Sequence, residues 1–296
     1  MDKYGRRADT PIWRGAQVAE LDYWVRALRD ELAITSRDQL VGFRLCQGRF
    51  GLGEFGLQAH DWMYSGDRPI ISGRMLDVGS CLVSFFENCR SVSVVAIDPL
   101  LETLKQALPD LVVIGPVNNV EYRSCRIQDV RETDFDLVWC YNVLDHTEDW
   151  QDIVRHFARV LKPAGQLLLA VDVRTSPDSL DKAHISAFTA EDLIRELDKN
   201  RFGALWRSRP STEAKYRFLV RARKLRAGEQ PDALIDTRVP FPFVGSTEHA
   251  QILADKDRRI QELERELAAR EAFIQRVITS LPYRAYRLLR RLLRRR

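Results

Sequence analysis

A doubly wound α/β fold with a mostly parallel, seven-stranded sheet is predicted for residues 61–224, and three observations predict it. Short apolar runs alternate with amphipathic stretches from residue 74 onward. The runs carry few polar breaks, as do strands covered on both faces. The last two, ALWRSR and YRFLVRARK, stand too close in sequence for a helical crossover, so they pair antiparallel. With 296 residues, 45% hydrophobic and 30% charged, the chain can bury a sizeable core, which excludes a wholly disordered protein. No run approaches the roughly 20 apolar residues of a membrane span. The start MDKYGRRADTPIWRG lacks the apolar centre of a secretory signal, so a cytoplasmic protein is expected.

The elements follow in order. Within residues 1–60, Val18, Leu21, Trp24, Val25, Leu28 and Leu32 recur at helical spacing and predict a helical cap or lid. The glycine-punctuated GRFGLGEFG (48–56) has no apolar strand before it and no Lys-Ser/Thr after it, so it reads as a turn-rich loop rather than a phosphate loop. The domain then runs through strand RMLDV, a short helix, strand VSVVAID, helix PLLETLKQAL, a strand near EYRSCR and strand FDLVWCY. Helix DWQDIVRHFARVL, strand GQLLLAVDV, helix TAEDLIRELDK and the antiparallel pair complete it.

Beyond the domain, Pro231, Pro240 and Pro242 mark a linker over 225–248. Leu253, Ile260, Leu267, Ile274 and Leu281 then recur every seventh residue, predicting a coiled coil over 249–281 that pairs chains into a homo-oligomer; a single helix folded back on the domain is the competing reading. The net charge of +4 is local, because seven arginines and no acid lie between Thr279 and Arg296, leaving the rest of the chain net negative. In the tail 282–296, Leu288, Leu289, Leu292 and Leu293 oppose an arginine face, which suits the surface of an anionic membrane. Nucleic acid is the weaker reading, since a phosphate-tracking arm gains little from leucines. The five cysteines, Cys46, Cys81, Cys89, Cys125 and Cys140, have neither zinc-site nor disulfide-framework spacing and read as reduced thiols.

In an open parallel sheet, ligands bind beyond the carboxyl ends of the strands where strand order reverses, so the ends of strands one, two and four are the candidates. Strand one ends in LDVGS (76–80), where Gly79 permits close backbone approach and a following helix would present N–H groups to an anion. Asp98 closes strand two, 21 residues after Asp77, a place from which a carboxylate accepts the ribose hydroxyls of an adenosine cofactor. A dinucleotide needs a glycine trio, and Gly79-Ser80-Cys81-Leu82-Val83-Ser84 lacks it.

LDVGS, AIDPL, FDLVWCYNVLDHTEDW (135–150) and ARVLKPAGQLLLAVDV (158–173) resemble, in order and spacing, the successive motifs of class I S-adenosylmethionine-dependent methyltransferases. The resemblance covers about residues 70–224 and implies a Rossmann-like methyltransferase domain with S-adenosylmethionine as cofactor. It implies Asp77, Gly79 and Ser80 near the methionine portion, Asp98 on the ribose, Asp129 on the adenine amino group and Asn142 beside the methionine. Cys81 departs from the family's repeated glycine, and its side chain is expected to crowd the cofactor or shift the loop. A catalytically inactive, membrane-anchored scaffold of the same fold is the alternative.

A neutral acceptor must also lose a proton, and histidine is the usual base. His146 follows strand four and His184 follows strand five, so both are candidates, with Asp145 or Asp149 to orient His146. A helix cap or a packing role also fits His146. His156 reads as a solvated helix residue, His249 begins the coiled coil and His60 has no assignable place. No metal-ligand cluster is visible in the spacing, and Asp172, Asp178 and Asp181 read as hydrated acids rather than a cation site. By analogy with methyltransferases that carry a coiled coil and basic end, the acceptor expected is a sugar hydroxyl of a bacterial surface glycan or its lipid-linked precursor, or else another small molecule.

Overall fold

The computed structural model describes residues 10–55, 73–87, 89, 92–112, 119–208 and 215–230. The chain divides into two compact units, Met1–Asp236 and Thr237–Arg296, and every described residue lies in the first. The coiled coil over 249–281, the basic tail, most of the linker, His60 and His249 fall outside the described residues.

Seven strands form one sheet in the order β3-β2-β1-β4-β5-β7-β6: β1 Gly73–Val78, β2 Val92–Ile97, β3 Val120–Arg123, β4 Phe135–Tyr141, β5 Leu161–Arg174, β6 Phe202–Arg207 and β7 Lys215–Lys224. β7 runs antiparallel to both β5 and β6, while the other pairings are parallel, as the short β6–β7 connection predicts. The order reverses between β1 and β4, which pair in register from Met75 opposite Leu137 to Val78 opposite Cys140.

Strand periodicity sorts the core. Leu76, Val78, Val138, Cys140, Leu167 and Leu169 face one side, whereas Met75, Leu137, Trp139, Leu168 and Ala170 face the other. The first side is covered by α4 (Trp150–Val160) and α5 (Ala190–Lys199). In α4 the buried residues Trp150, Ile153, Val154, Phe157 and Val160 form one helical stripe. α5 begins at a capping box in which Thr189 accepts from the N–H of Asp192 and Asp192 accepts from that of Thr189. On the second side lies α2 (Arg37–Glu54), entered through the capping box of Ser36 and Gln39. Its Leu52, together with Phe85 and Phe86, closes over Trp139. α1 (Pro11–Arg26) and α3 (Leu101–Ala107) complete this layer, with Leu28, Leu40, Leu82, Leu101 and Leu104 buried in a third cluster.

Three local expectations are corrected. GRFGLGEFG is not a loop at its start, since α2 continues to Glu54. A Cβ at Gly51 would lie 3.0 Å from the Tyr141 ring and one at Gly48 3.0 Å from Phe85, so these glycines let the helix pack close to its neighbours. The short helix expected after β1 is absent, and residues 79–87 form successive turns instead. On the cap, Leu28 is buried but Val18 and Leu32 are exposed. α1 passes into a π-helical turn at Ala27–Glu31, whose extra residue per turn throws Leu32 off the apolar stripe.

Phe157 is fully buried, so Phe157→Ala is expected to cost about 3–5 kcal/mol in urea denaturation, whereas Arg155→Ala on the exposed face should cost under about 0.5 kcal/mol. Equal midpoints for the two variants would contradict the assignment of that helix face to the core.

Candidate active site at the switch point of the sheet

The loop that leaves β1 is shaped by two left-handed residues, Gly79 (φ 78°) and Cys81 (φ 56°). The N–H groups of Gly79 and Ser80 both donate to the carbonyl of Ile97, at 2.9 and 3.2 Å, which ties the loop to the end of β2. A side chain at Gly79 is excluded twice over, because its φ is positive and a Cβ would lie 2.4 Å from Val143 Cγ2. Cys81 tolerates its strained backbone because its N–H donates to Asp98 Oδ2 at 2.8 Å. The expectation that Cys81 crowds the cofactor is corrected: its side chain packs in the cluster of Leu28, Leu82 and Leu101 and lines neither cavity of the cleft. Burial pushes its thiol up to about 12.

Asp98 accepts from the N–H of Leu100 on Oδ1 as well as from Cys81 on Oδ2, yet still borders the larger cavity. Burial raises its pKa. Asp77 is fully buried; its Oδ2 accepts from Ser84 Oγ at 2.6 Å and its Oδ1 has no partner. Burial raises Asp77 to about 6, against the lowering effects of the Ser84 hydrogen bond and the Arg44 charge. Asn142, left-handed at φ 58°, anchors its N–H on the Ala170 carbonyl, while its buried Oδ1 is also unpartnered.

Two of the expected cofactor residues face elsewhere. The side chain of Ser80 is fully buried outside both cavities, and only its carbonyl contributes, by accepting from Arg44. Asp129 is exposed and caps the turn Ile127–Asp129 by accepting from the N–H of Arg126, so Ile127 and Gln128 form the cavity wall there.

Arg44 was not foreseen. It stands on α2, only 2% exposed, and donates from Nε to Val83 O at 2.9 Å and from Nη2 to Ser80 O at 3.0 Å. Its guanidinium lies 3.7 Å from the centroid of the Phe85 ring. No carboxylate pairs with it among the described residues, so a full positive charge sits at the edge of the cleft.

Two cavities meet at Gly79 and Val143. A slot of about 90 Å³ is walled by Ile97, Pro99, Ile127 and Val143 and roofed by Trp13 of α1. Thr10, the N-cap of α1, donates to Glu148, and Arg126 stacks 3.7 Å from the Trp13 ring centroid, so the cap is fastened over this slot. A chamber of about 880 Å³ opens beside it, bordered by Glu20, Arg44, Tyr141, Asp172 and Arg217. Arg217 donates to Asp172 at 2.9 Å and to the Tyr141 hydroxyl at 2.8 Å, and Tyr141 donates to Glu54. Burial acts to raise Asp172, but Arg217 and Lys215 outweigh it and hold the carboxyl below its usual range.

Both loop histidines reach this chamber, and Asp145 lies between them. Their rings are 4.4 Å apart. His146 Nδ1 is 3.1 Å from Ala183 O, and His184 Nδ1 is 2.7 Å from each oxygen of Asp181. Asp149 lines the slot rather than the chamber, and the acids beside His146 are Glu20, 3.3 Å from Nδ1, and Asp145, 3.8 Å from Nε2. His156 bonds Asp152 O within α4, away from the cleft.

Because folding raises the pKa of Asp77, its ionised form weakens the folded state: the contribution is intact below the unfolded carboxyl value near pH 4 and is lost as pH rises through about 6. Urea unfolding of the cofactor-free protein should therefore show a stability decline across that window that is smaller by about 3 kcal/mol at most in Asp77→Asn. An identical pH dependence in the variant would contradict the burial of this acid.

Residues 76–169 match the family described as methyltransferase domain. No match was found among curated proteins. Solved structures similar to this chain include an S-adenosylmethionine dependent methyltransferase from Mesorhizobium loti (16% identity, 52% of this chain and 93% of that one, TM-score 0.42). Another is 1,6-didemethyltoxoflavin-N1-methyltransferase from Burkholderia thailandensis, solved with S-adenosylhomocysteine (15% identity, 75% and 93% coverage, TM-score 0.44). A third is N-methyltransferase NodS from Bradyrhizobium japonicum WM9, also with S-adenosylhomocysteine (15% identity, 71% and 98% coverage, TM-score 0.44). Over residues 76–169 the chain is thus similar to a methyltransferase domain, carried on the seven-stranded sheet described above.

Proposed function

We propose that the protein transfers a methyl group from S-adenosylmethionine to a hydroxyl of a polar, glycan-type acceptor. The observation that carries the reading is the set of unmatched buried polar groups at and just behind the ends of β1 and β4 and on α2, beside the cleft. The amino-acid end of the cofactor needs acceptors for an ammonium and a donor for a carboxylate. Asp77 Oδ1 and Asn142 Oδ1 are buried acceptors without donors, and Arg44 is a buried cation without a carboxylate. In this reading the slot of Pro99, Ile127 and Val143 takes the adenine, Asp98 takes the ribose, and Asp77, Asn142 and Arg44 take the methionine end.

The cofactor supplies an electrophilic methyl on its sulfonium and leaves as S-adenosylhomocysteine. The chain's own work is to hold the acceptor in the chamber and receive its proton. Tyr141, Asp172, Lys215 and Arg217 give the chamber donors and acceptors in alternation, which suits a hydroxyl-rich molecule better than an apolar one. Most of the rate enhancement would come from orientation. The acceptor proton passes to the loop histidines, His146 or His184, beside Asp145.

The amphipathic pattern of residues 282–296 supports attachment of this activity to an anionic membrane surface, and the heptads over 249–281 support pairing of chains, so that joined tails act together. The inactive scaffold rested on Cys81 blocking the cofactor, and with that side chain outside the cleft no observation favours it.

Titration calorimetry with S-adenosylhomocysteine should give one site per chain, lost in Asp98→Ala and in Gly79→Arg; heat unchanged in both variants would refute the placement. Once an acceptor is in hand, His146→Ala should keep that affinity while turnover falls roughly 10²–10⁴-fold. Unchanged turnover would move the proton to His184 or leave orientation as the whole of the catalysis.

A further inference from the structure

The orientation of the two loop histidines bears on more than proton transfer. His184 Nδ1 lies 2.7 Å from both oxygens of Asp181, close enough only for a nitrogen that carries a hydrogen and donates it. His146 Nδ1 faces the Ala183 carbonyl at 3.1 Å, with Glu20 Oε2 a further 3.3 Å neighbour, and a carbonyl can only accept. In the neutral rings both Nε2 atoms therefore present lone pairs. Those lone pairs point at a third acceptor: His146 Nε2 is 3.8 Å from Asp145 Oδ1, and His184 Nε2 is 3.8 Å from Asp145 Oδ2.

Neither distance is a hydrogen bond, and both Asp145 oxygens and His146 Nε2 are buried without a hydrogen-bond partner. Asp145 itself is fully buried. Three acceptors turned on one another across a gap repel unless something positive lies between them. The one guanidinium nearby, Arg174, has its Nε 3.7 Å from Asp145 Oδ2 and does not close the gap. Among the described residues, Arg174 is the one cation paired with these acids, against three carboxylates, those of Asp145, Asp181 and Glu20.

We propose that Asp145 and the Nε2 atoms of His146 and His184 form a binding site for a divalent transition-metal ion of the zinc type. The candidate ligand atoms of the three residues all lie within 4.8 Å of one another. Tetrahedral ligands at about 2.0–2.1 Å from zinc are about 3.3 Å apart, so the three donors must close by up to about 1.5 Å when the ion binds. Two imidazoles and one carboxylate favour such an ion over magnesium or calcium, which take oxygen ligands. Asp181 and the Ala183 carbonyl, by holding the Nδ1 hydrogens, fix each ring with its Nε2 inward, the usual outer support of a ligating histidine. The open side of the site is the chamber.

This inference goes beyond the proposed methyl transfer. An ion and an acceptor proton are alternative occupants of the same lone pairs, and binding of the ion is measured without turnover.

The test uses the full chain, stripped with a chelator and dialysed, titrated with zinc by calorimetry and with cobalt(II) by visible absorption. One ion per chain with micromolar or tighter affinity is expected, with cobalt bands of a low-coordinate nitrogen and oxygen site. His146→Ala and His184→Ala should each weaken binding at least 100-fold. Asp181→Asn, which leaves all three ligands in place, should weaken it about 10–100-fold. S-adenosylhomocysteine affinity and thermal midpoint, measured on each variant, confirm that it is folded. Loss of metal binding in a variant that has also lost both is set aside in favour of Asp181→Asn. Wild-type protein that takes up no zinc, or a His146→Ala/His184→Ala double variant that binds it as well as the wild type, overturns the proposal. Wild-type protein that binds zinc but not S-adenosylhomocysteine leaves the metal site standing and removes the methyltransferase reading.

Discussion

Asp98 accepts from the backbone of Cys81 on one oxygen and from that of Leu100 on the other, and this pair of bonds determines the shape of the cleft. A loop with two left-handed residues in three positions is costly unless its surroundings over-determine it. Here three elements do so. β2 contributes the Ile97 carbonyl and the Asp98 carboxylate that follows it, α2 contributes Arg44 on Ser80 O and Val83 O, and β1 contributes Asp77 on Ser84 Oγ. The loop is therefore placed by buried polar bonds rather than by a helix of its own. A buried polar network of this kind specifies one geometry only while every member is satisfied. Two acceptors beside it are left unsatisfied, Asp77 Oδ1 at the end of β1 and Asn142 Oδ1, and Asn142 lines the larger cavity.

The cap shares in the same constraint. Arg44 belongs to α2, Glu20 to α1, and Trp13 roofs the slot, so helices that precede the domain complete its binding surfaces. Helix α2 reaches that position because Gly48 and Gly51 offer no side chain against Phe85, Tyr141 and Trp139.

What was legible in the sequence was whatever depends on neighbours along the chain. Strand runs, the helical stripe of α4 and the antiparallel end follow from local periodicity, and the places of Gly79 and Asp98 at strand ends beside the cleft follow because a strand's carboxyl end is a local feature. The misreadings concern loop side chains. Cys81 packs against the cap, a distant element, whereas Asp129 is held by the N–H of Arg126 three residues before it and the Ser80 side chain is buried outside both cavities. Arg44 carried no signal, since one arginine on a helix is ordinarily a surface residue. The meeting of His146 with His184 joins two loops 38 positions apart, a distance no ligand-spacing pattern spans.

The central claim is that Asp98 and Arg44 hold the loop 79–84 in one shape, with Gly79 at the wall of both cavities. Hydrogen exchange across this loop, read by mass spectrometry with and without S-adenosylhomocysteine, tests it most directly. The account predicts that the amides of Gly79, Ser80 and Cys81 are already slow in the free protein, slow further on addition of the ligand, and become fast in Asp98→Ala. Fast exchange in the free protein, or a loop indifferent to saturating ligand, would contradict it.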